Sequence, residues 1–143
     1  MLRGRTLAAV VLLAVLLAGG AMVAGGAIFS ALGNFQLNYG DVLAPNVVNV
    51  TSSVLAFNRA QGGSGQPGGN GLGGGVFNDA DSSLTLLKSA VTENRAVGGQ
   101  TGGKRIGGGV YNPGTFDLDA LTVIRKNKAS TSDDDIFGSF SLV

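Results

Sequence analysis

The stretch GGQTGGKR, residues 98–105, spaces Gly98, Gly103 and Lys104 as a phosphate-cradling loop would. Such a loop grips phosphate with backbone N–H groups at the start of a helix and holds Mg²⁺ with a hydroxyl just after the lysine. Arg105 stands where that hydroxyl belongs, and the IGGGVYNPG that follows is too rich in glycine and proline to start a helix. The spacing is therefore read as part of a glycine-rich stretch, with Lys104 and Arg105 solvated. A second candidate is the pair Asp117 and Asp119 around Leu118. With Phe116 and Leu118 pointing inward from a strand, the two carboxylates would face out roughly 7 Å apart. That separation leaves room for the water that an inverting glycoside hydrolase activates. Thr85 and Leu87, the counterparts in an earlier similar segment, are uncharged, so the competing reading is a pair of solvated carboxylates.

Other chemistry is thinner. GGNGLGGGV (68–76) follows the glycines of a calcium-binding nonapeptide, but Gly73 occupies the place of the ligating aspartate. The G-x-G-x-x-G at Gly69, Gly71 and Gly74 sits in a run where almost any glycine pattern would match. Asp133, Asp134 and Asp135 could hold a hard cation weakly, with a polar chain end as the plainer reading. Asn49-Val50-Thr51 forms a glycosylation triplet. The absence of Cys and His removes disulfides, thiolate sites and the usual general base. No metal and no cofactor is implied. Ten Lys and Arg against nine Asp and Glu give a net charge of +1, which points to no nucleic acid and no acidic partner.

MLRGR is basic, LAAVVLLAVLL is apolar, and AGGAMVAGGA supplies small residues. This is the pattern of a secretory signal peptide, with cleavage after Gly26 or Ala27. The rival is an uncleaved anchor, since 6–32 carries no charge and could span about 30 Å of hydrocarbon. Either way residues 1–27 form an apolar helix, and the remainder lies outside the cytoplasm, secreted or at the cell surface.

Self-similarity organises the rest. VNVTSSVLAFNRA, LTLLKSAVTENRA and DLDALTVIRKNKA each end in Asn, a basic residue and Ala, which places Asn58, Asn94 and Asn127 at one point of a repeat. A second marker interleaves, GGGVFN ending at Asn78 and GGGVYN ending at Asn112. Apolar residues alternate within the units, so Val48, Val50, Val76, Leu84, Leu86, Val110, Phe116 and Leu118 are expected to face a common interior. Three short strands per unit cannot bury that face alone, but units stacked about 4.8 Å apart can. Val76 then lies over Val110 and Leu84 over Phe116. Asn58, Asn94 and Asn127 form an amide ladder. The glycine runs at 62–75 and 98–109 are read as flexible excursions that leave the stack and return.

These segments, GGGVFN with SSLTLLKSAVTENRA and GGGVYNPGTFDLDALTVIRKNKA closing in STSDDDIFG, resemble the right-handed parallel β-helix repeat proteins of the pectin-lyase-like superfamily. They are also similar to the repeats of the polymorphic outer-membrane proteins and related adhesins. The resemblance covers 47–138. It implies an all-β fold, a short right-handed parallel β-helix of about three coils with glycine-rich loops, in a short or fragmentary member. Residues 28–46 would be an irregular cap and 139–143 a tail. Because that fold hosts lyases, hydrolases, adhesins and stalks, it does not choose an activity. Among cleaving relatives, Arg125, Lys126 or Lys128 would accompany the acids Asp117 and Asp119.

The expected role is a structural or adhesive surface element that binds carbohydrate or protein. A polysaccharide lyase or hydrolase and a nonfunctional remnant of a longer repeat protein are the alternatives. Unpaired strand edges at the two ends would allow self-association, and membrane contact would come only from an uncleaved N-terminal segment.

Overall fold

A computed structural model describes residues 47–143 and the backbone of two short strands before them, at 23–24 and 28–30. Residues 1–22 and 25–27 of the expected N-terminal helix and 31–46 of the expected cap lie outside the described residues. The described chain is all β and contains no helix.

The strands recur in tiers. The first tier is β1 (Val23–Ala24), β2 (Ile28–Ser30), β3 (Val47–Thr51), β4 (Val54–Ala56) and β5 (Arg59–Gln61). The second is β6 (Gly71–Leu72), β7 (Val76–Asn78), β8 (Ser83–Leu87), β9 (Ala90–Thr92) and β10 (Arg95–Val97). The third is β11 (Arg105–Ile106), β12 (Val110–Tyr111), β13 (Thr115–Leu118) and β14 (Val123–Arg125), and the last holds β15 (Ile136–Phe137) and β16 (Ser141–Leu142). Every strand pairs in parallel with its counterpart in the neighbouring tier, giving sheets β1-β6-β11, β2-β7-β12-β15, β3-β8-β13-β16, β4-β9-β14 and β5-β10. Single bridges, Arg95 with Lys128 and Ile106 with Ser132, continue the last and first of these positions.

Alternation decides what each strand buries. In β8 the pattern of Leu84 and Leu86 separated by Thr85 puts both leucines fully inside. Phe116 and Leu118 of β13 lie in register with them, and Val48 and Val50 of β3 do so from the other side, half-buried. Val76 pairs with Val110, and Val110 with Ile136. Val91 is flanked by Leu55 and Ile124, and the whole set forms one apolar interior. Each fully buried Leu or Val contributes on the order of 1.5–3 kcal/mol. Burial therefore comes from tier lying on tier rather than from any one tier.

Some sequence expectations need correction. A tier holds five strand positions rather than three, because the segments after Asn58 and Asn94 and the glycine-flanked Gly71–Leu72 and Arg105–Ile106 also pair. Ile28–Ser30, at the start of the expected irregular cap, forms β2 in register with Val76–Asn78. Val23–Ala24, inside the expected signal or anchor, pairs with Gly71–Leu72.

A last correction concerns the glycines. Rather than leaving the stack, Gly71, Gly73, Gly74 and Gly75 are buried, and their N–H groups donate to Lys104, Ile106, Gly107 and Gly109 carbonyls at 2.8–3.1 Å. These runs are part of the pairing. Their composition reflects close approach of one backbone to the next, not freedom.

Candidate functional site

Two corners of the tier carry most of the buried polar groups. At the first, Phe57, Glu93 and Lys126 adopt left-handed φ of 59°, 57° and 59°, so that the next residue turns inward. That residue is Asn58, Asn94 or Asn127. Asn58 donates from its backbone N and from Nδ2 to Asn94 Oδ1, both at 2.9 Å, and Asn94 does the same to Asn127 Oδ1 at 2.9 Å. Nδ2 of Asn94 also donates to the Leu55 carbonyl at 2.8 Å, and Nδ2 of Asn127 to that of Val91 at 2.9 Å. Each Oδ1 thus accepts the backbone N–H of the corner asparagine in the preceding tier, a group that the corner leaves without a strand partner.

The chain of donors ends on a carboxylate. Asp135 Oδ1 accepts from Asn127 N at 3.0 Å and Nδ2 at 2.9 Å, as an asparagine of a further tier would. Asp134 Oδ1 accepts from Ala129 N at 2.7 Å. Asp133, with φ of 56°, takes the left-handed conformation held by Gly73 and Gly107 in the preceding tiers. DDDIFG is therefore a third copy of GGGVFN, with acids that cap donors rather than hold a cation. Among the described residues no group of three or more His, Cys, Asp or Glu is arranged to bind a metal ion.

The second corner follows β7 and β12. Asn78 Nδ2 donates to Asn112 Oδ1 at 2.7 Å and to the Thr115 carbonyl at 2.8 Å, and Asn112 Nδ2 reaches the Ser139 carbonyl at 2.8 Å. A hydroxyl column accompanies these ladders, with Ser53 N donating to Ser89 Oγ at 3.2 Å and Ser89 N to Thr122 Oγ1 at 3.3 Å. An aromatic column lies outside β7, β12 and β15. Phe77 stacks on Tyr111 with centroids 5.3 Å apart, and Tyr111 on Phe137 at 4.7 Å. Their faces are spent on one another. Neither column was anticipated from the sequence, although Phe77 and Tyr111 occupy equal places in GGGVFN and GGGVYN and could have been found there.

Asp117 and Asp119 do not behave as a matched pair. Asp117 is half-buried on β13, in register with Thr85 and Ser141. Asp119 lies just past the strand end, where its carboxylate accepts the Thr122 hydroxyl at 2.7 Å and the Lys88 N–H at 2.9 and 3.1 Å. Lys88 has φ of 49°, and the carboxylate satisfies the N–H of that left-handed turn. The Thr122 hydroxyl, followed by the Lys88 N–H, holds the Asp119 carboxyl below its usual 3.8. A lowered carboxyl stays ionised and is a poor proton donor, the opposite of what a general acid needs. Stability from these bonds is complete above pH 3.8 and is lost as pH falls from there through the lower folded value. Asp119→Asn should therefore be less stable than the unsubstituted protein at neutral pH. The gap should close as pH is taken below 3.8, as read by urea titrations across pH.

The remaining sequence candidates are dispersed. Asn49 is exposed on β3. Lys104 is exposed, and its N–H donates to Asn70 Oδ1 at 2.9 Å. Arg105, expected to be solvated, is half-buried, with Nη1 on Ser130 Oγ at 2.6 Å. Among the described residues no helix is long and apolar enough to cross a membrane.

The architecture defines an all-β protein of parallel sheets stacked tier on tier. Compared with family models, curated proteins and solved structures, the chain matches none.

Proposed function

We propose that the chain is a short right-handed parallel β-helix of about three coils that serves as an exported structural or adhesive element, binding carbohydrate or protein at a cell surface. The observation that carries the reading is the register. Counterpart strands pair in parallel from tier to tier in all five sheets, and the buried asparagines follow the same register. The connection from a strand to its parallel neighbour is overwhelmingly right-handed in proteins, which supports that hand here. Repeated flat strand faces suit extended contact with a polymer or with another surface. Export rests on the basic, apolar and small-residue order of the first 27 residues.

A polysaccharide-cleaving role is not adopted, because the Asp119 carboxylate is committed to the Lys88 and Thr122 turn. The test is an array of glycans and extracellular-matrix proteins probed with the full chain. Saturable binding to a defined glycan or protein class is expected, and it should survive Asp117→Asn. Uniform lack of binding would remove the adhesive role.

A further inference from the structure

One place in the repeat carries glycine in two tiers and aspartate in the next. Gly74 and Gly75 precede β7, Gly108 and Gly109 precede β12, and Asp134 and Asp135 precede β15. The strands that follow are in register, Val76 with Val110 and Val110 with Ile136. In the second and third tiers the corner segment of the same tier excludes a side chain at these positions. A Cβ at Gly74 would lie 2.5 Å from the backbone N and C of Arg95, and one at Gly75 would lie 2.9 Å from Asn94 Nδ2. At Gly108 a Cβ would run into the Lys128 backbone, and at Gly109 it would lie 2.7 Å from Asn127 Nδ2. Glycine at this place and an Asn-basic-Ala segment in the same tier therefore go together.

Asp134 and Asp135 put side chains where such a segment would run. The donors of the corner show the exchange. Asn58 gives from N and Nδ2 to Asn94 Oδ1, Asn94 does so to Asn127 Oδ1, and Asn127 does so to Asp135 Oδ1. Ala96 N donates to the Lys128 carbonyl at 2.9 Å, whereas its counterpart Ala129 N donates to Asp134 Oδ1 at 2.7 Å. Asp135 thus replaces the amide oxygen of a further asparagine, and Asp134 replaces the backbone carbonyl of a further basic residue. The backbone of the pair still joins the stack, its carbonyls accepting from Gly109 N and Val110 N at 3.0 and 2.8 Å. A Cβ at Gly74 would also overlap the Gly108 carbonyl of the next tier. By the same geometry the Cβ of Asp134 obstructs a tier beyond its own.

We propose that Asp134 and Asp135 are a built-in stop of the stack: they occupy the strand-addition site at the β5-β10 corner, so that no further segment, from this chain or from another molecule, pairs there. Open sheet edges recruit other chains; here two side chains close the edge without a strand. The inference stands on the tier geometry and is independent of the adhesive role above. It also narrows the self-association expected of the ends, because the N–H groups that this corner would offer to a newcomer are already taken.

The test supplies the excluded segment. Leu142 lies in register with Leu118, and Leu118 with Leu86, so Val143 falls at the place of Leu87. A second copy of residues 88–97 placed after Val143 therefore continues the last tier with an Asn-Arg-Ala segment. The full chain and its D134G/D135G variant are melted with and without this extension, followed by circular dichroism. Without it, D134G/D135G should melt about 10 °C lower, because three hydrogen bonds lose their acceptors. The extension should recover most of that loss in the glycine variant and leave the aspartate protein unchanged. Amide hydrogen exchange gives a second reading: the Asn127 and Ala129 N–H groups should be protected in the unsubstituted protein. An extension that stabilises the aspartate protein as much as the glycine variant overturns the proposal. So does a glycine variant that melts with the unsubstituted protein, one that the extension does not rescue, or rapid exchange at Asn127 and Ala129 in the unsubstituted protein. Should D134G/D135G not fold alone, its extended form decides: folding supports the stop and failure to fold overturns it.

Discussion

Asn94→Ala should lower stability by about 3–5 kcal/mol, and the melting temperature by about 20 °C in a domain of this size. Asn94 is 1% exposed and sits in the middle of its ladder. Its Oδ1 accepts two hydrogen bonds from Asn58, and its Nδ2 donates to the Leu55 carbonyl and to Asn127 Oδ1. Truncation leaves the Asn58 N–H without its acceptor, removes the amide's bonds to the Leu55 carbonyl and Asn127 Oδ1, and opens a void at the corner. Each orphaned buried group costs about 1–3 kcal/mol. Asn58→Ala is the comparison. Asn58 is half-buried at the end of the ladder, and loss of its side chain removes donors only, to Ala56 O and Asn94 Oδ1. About 1 kcal/mol is expected there. Urea unfolding of the two variants checks the ranking, and equal losses would mean that the ladder does not stabilise through its centre.

The ladder positions were legible because the Asn-basic-Ala triplets repeat at nearly one spacing, and that spacing is the length of a tier. It also gave the pairing of Val76 with Val110 and of Leu84 with Phe116. What stayed hidden was local. Arg59–Gln61 and Arg95–Val97 carry too few apolar residues to signal strands, and they pair because Ala60 and Ala96 are small enough to lie against the interior. Asp134 and Asp135 read as a solvated acidic run because one-letter spacing does not reveal that Ala129 and Asn127 need acceptors where no strand lies beyond them. Asp119 read as a candidate acid for a similar reason, since its neighbour across the tier, Lys88, is distant in sequence and offers only a backbone N–H. The glycines were misread most, because composition alone does not distinguish a mobile linker from a backbone pressed against another backbone.

That last distinction sets the second large effect. Gly74→Ala should destabilise by about 4 kcal/mol or more, most of the stability of a domain at the low end of the usual range of about 5–15 kcal/mol. A Cβ at Gly74 would overlap the Gly108 carbonyl oxygen of the next tier and lie 2.5 Å from the backbone N and C of Arg95 in its own. Neither neighbour is a flexible side-chain end, so relief requires the tiers to separate. The N–H of Gly74 donates to Gly107 O at 3.0 Å, and separation would stretch that bond as well. Gly102 is the control within the other glycine run. Its φ is +87°, and a Cβ there meets nothing within 4 Å. Gly102→Ala should therefore cost only the left-handed strain of about 1–2 kcal/mol. If the runs were flexible linkers, Gly74→Ala would be neutral or slightly stabilising, through the reduced entropy of the unfolded chain. Circular dichroism and urea titration of the two variants decide between these outcomes: a folded Gly74→Ala protein with unchanged stability would mean that 62–75 does not pack against 98–109.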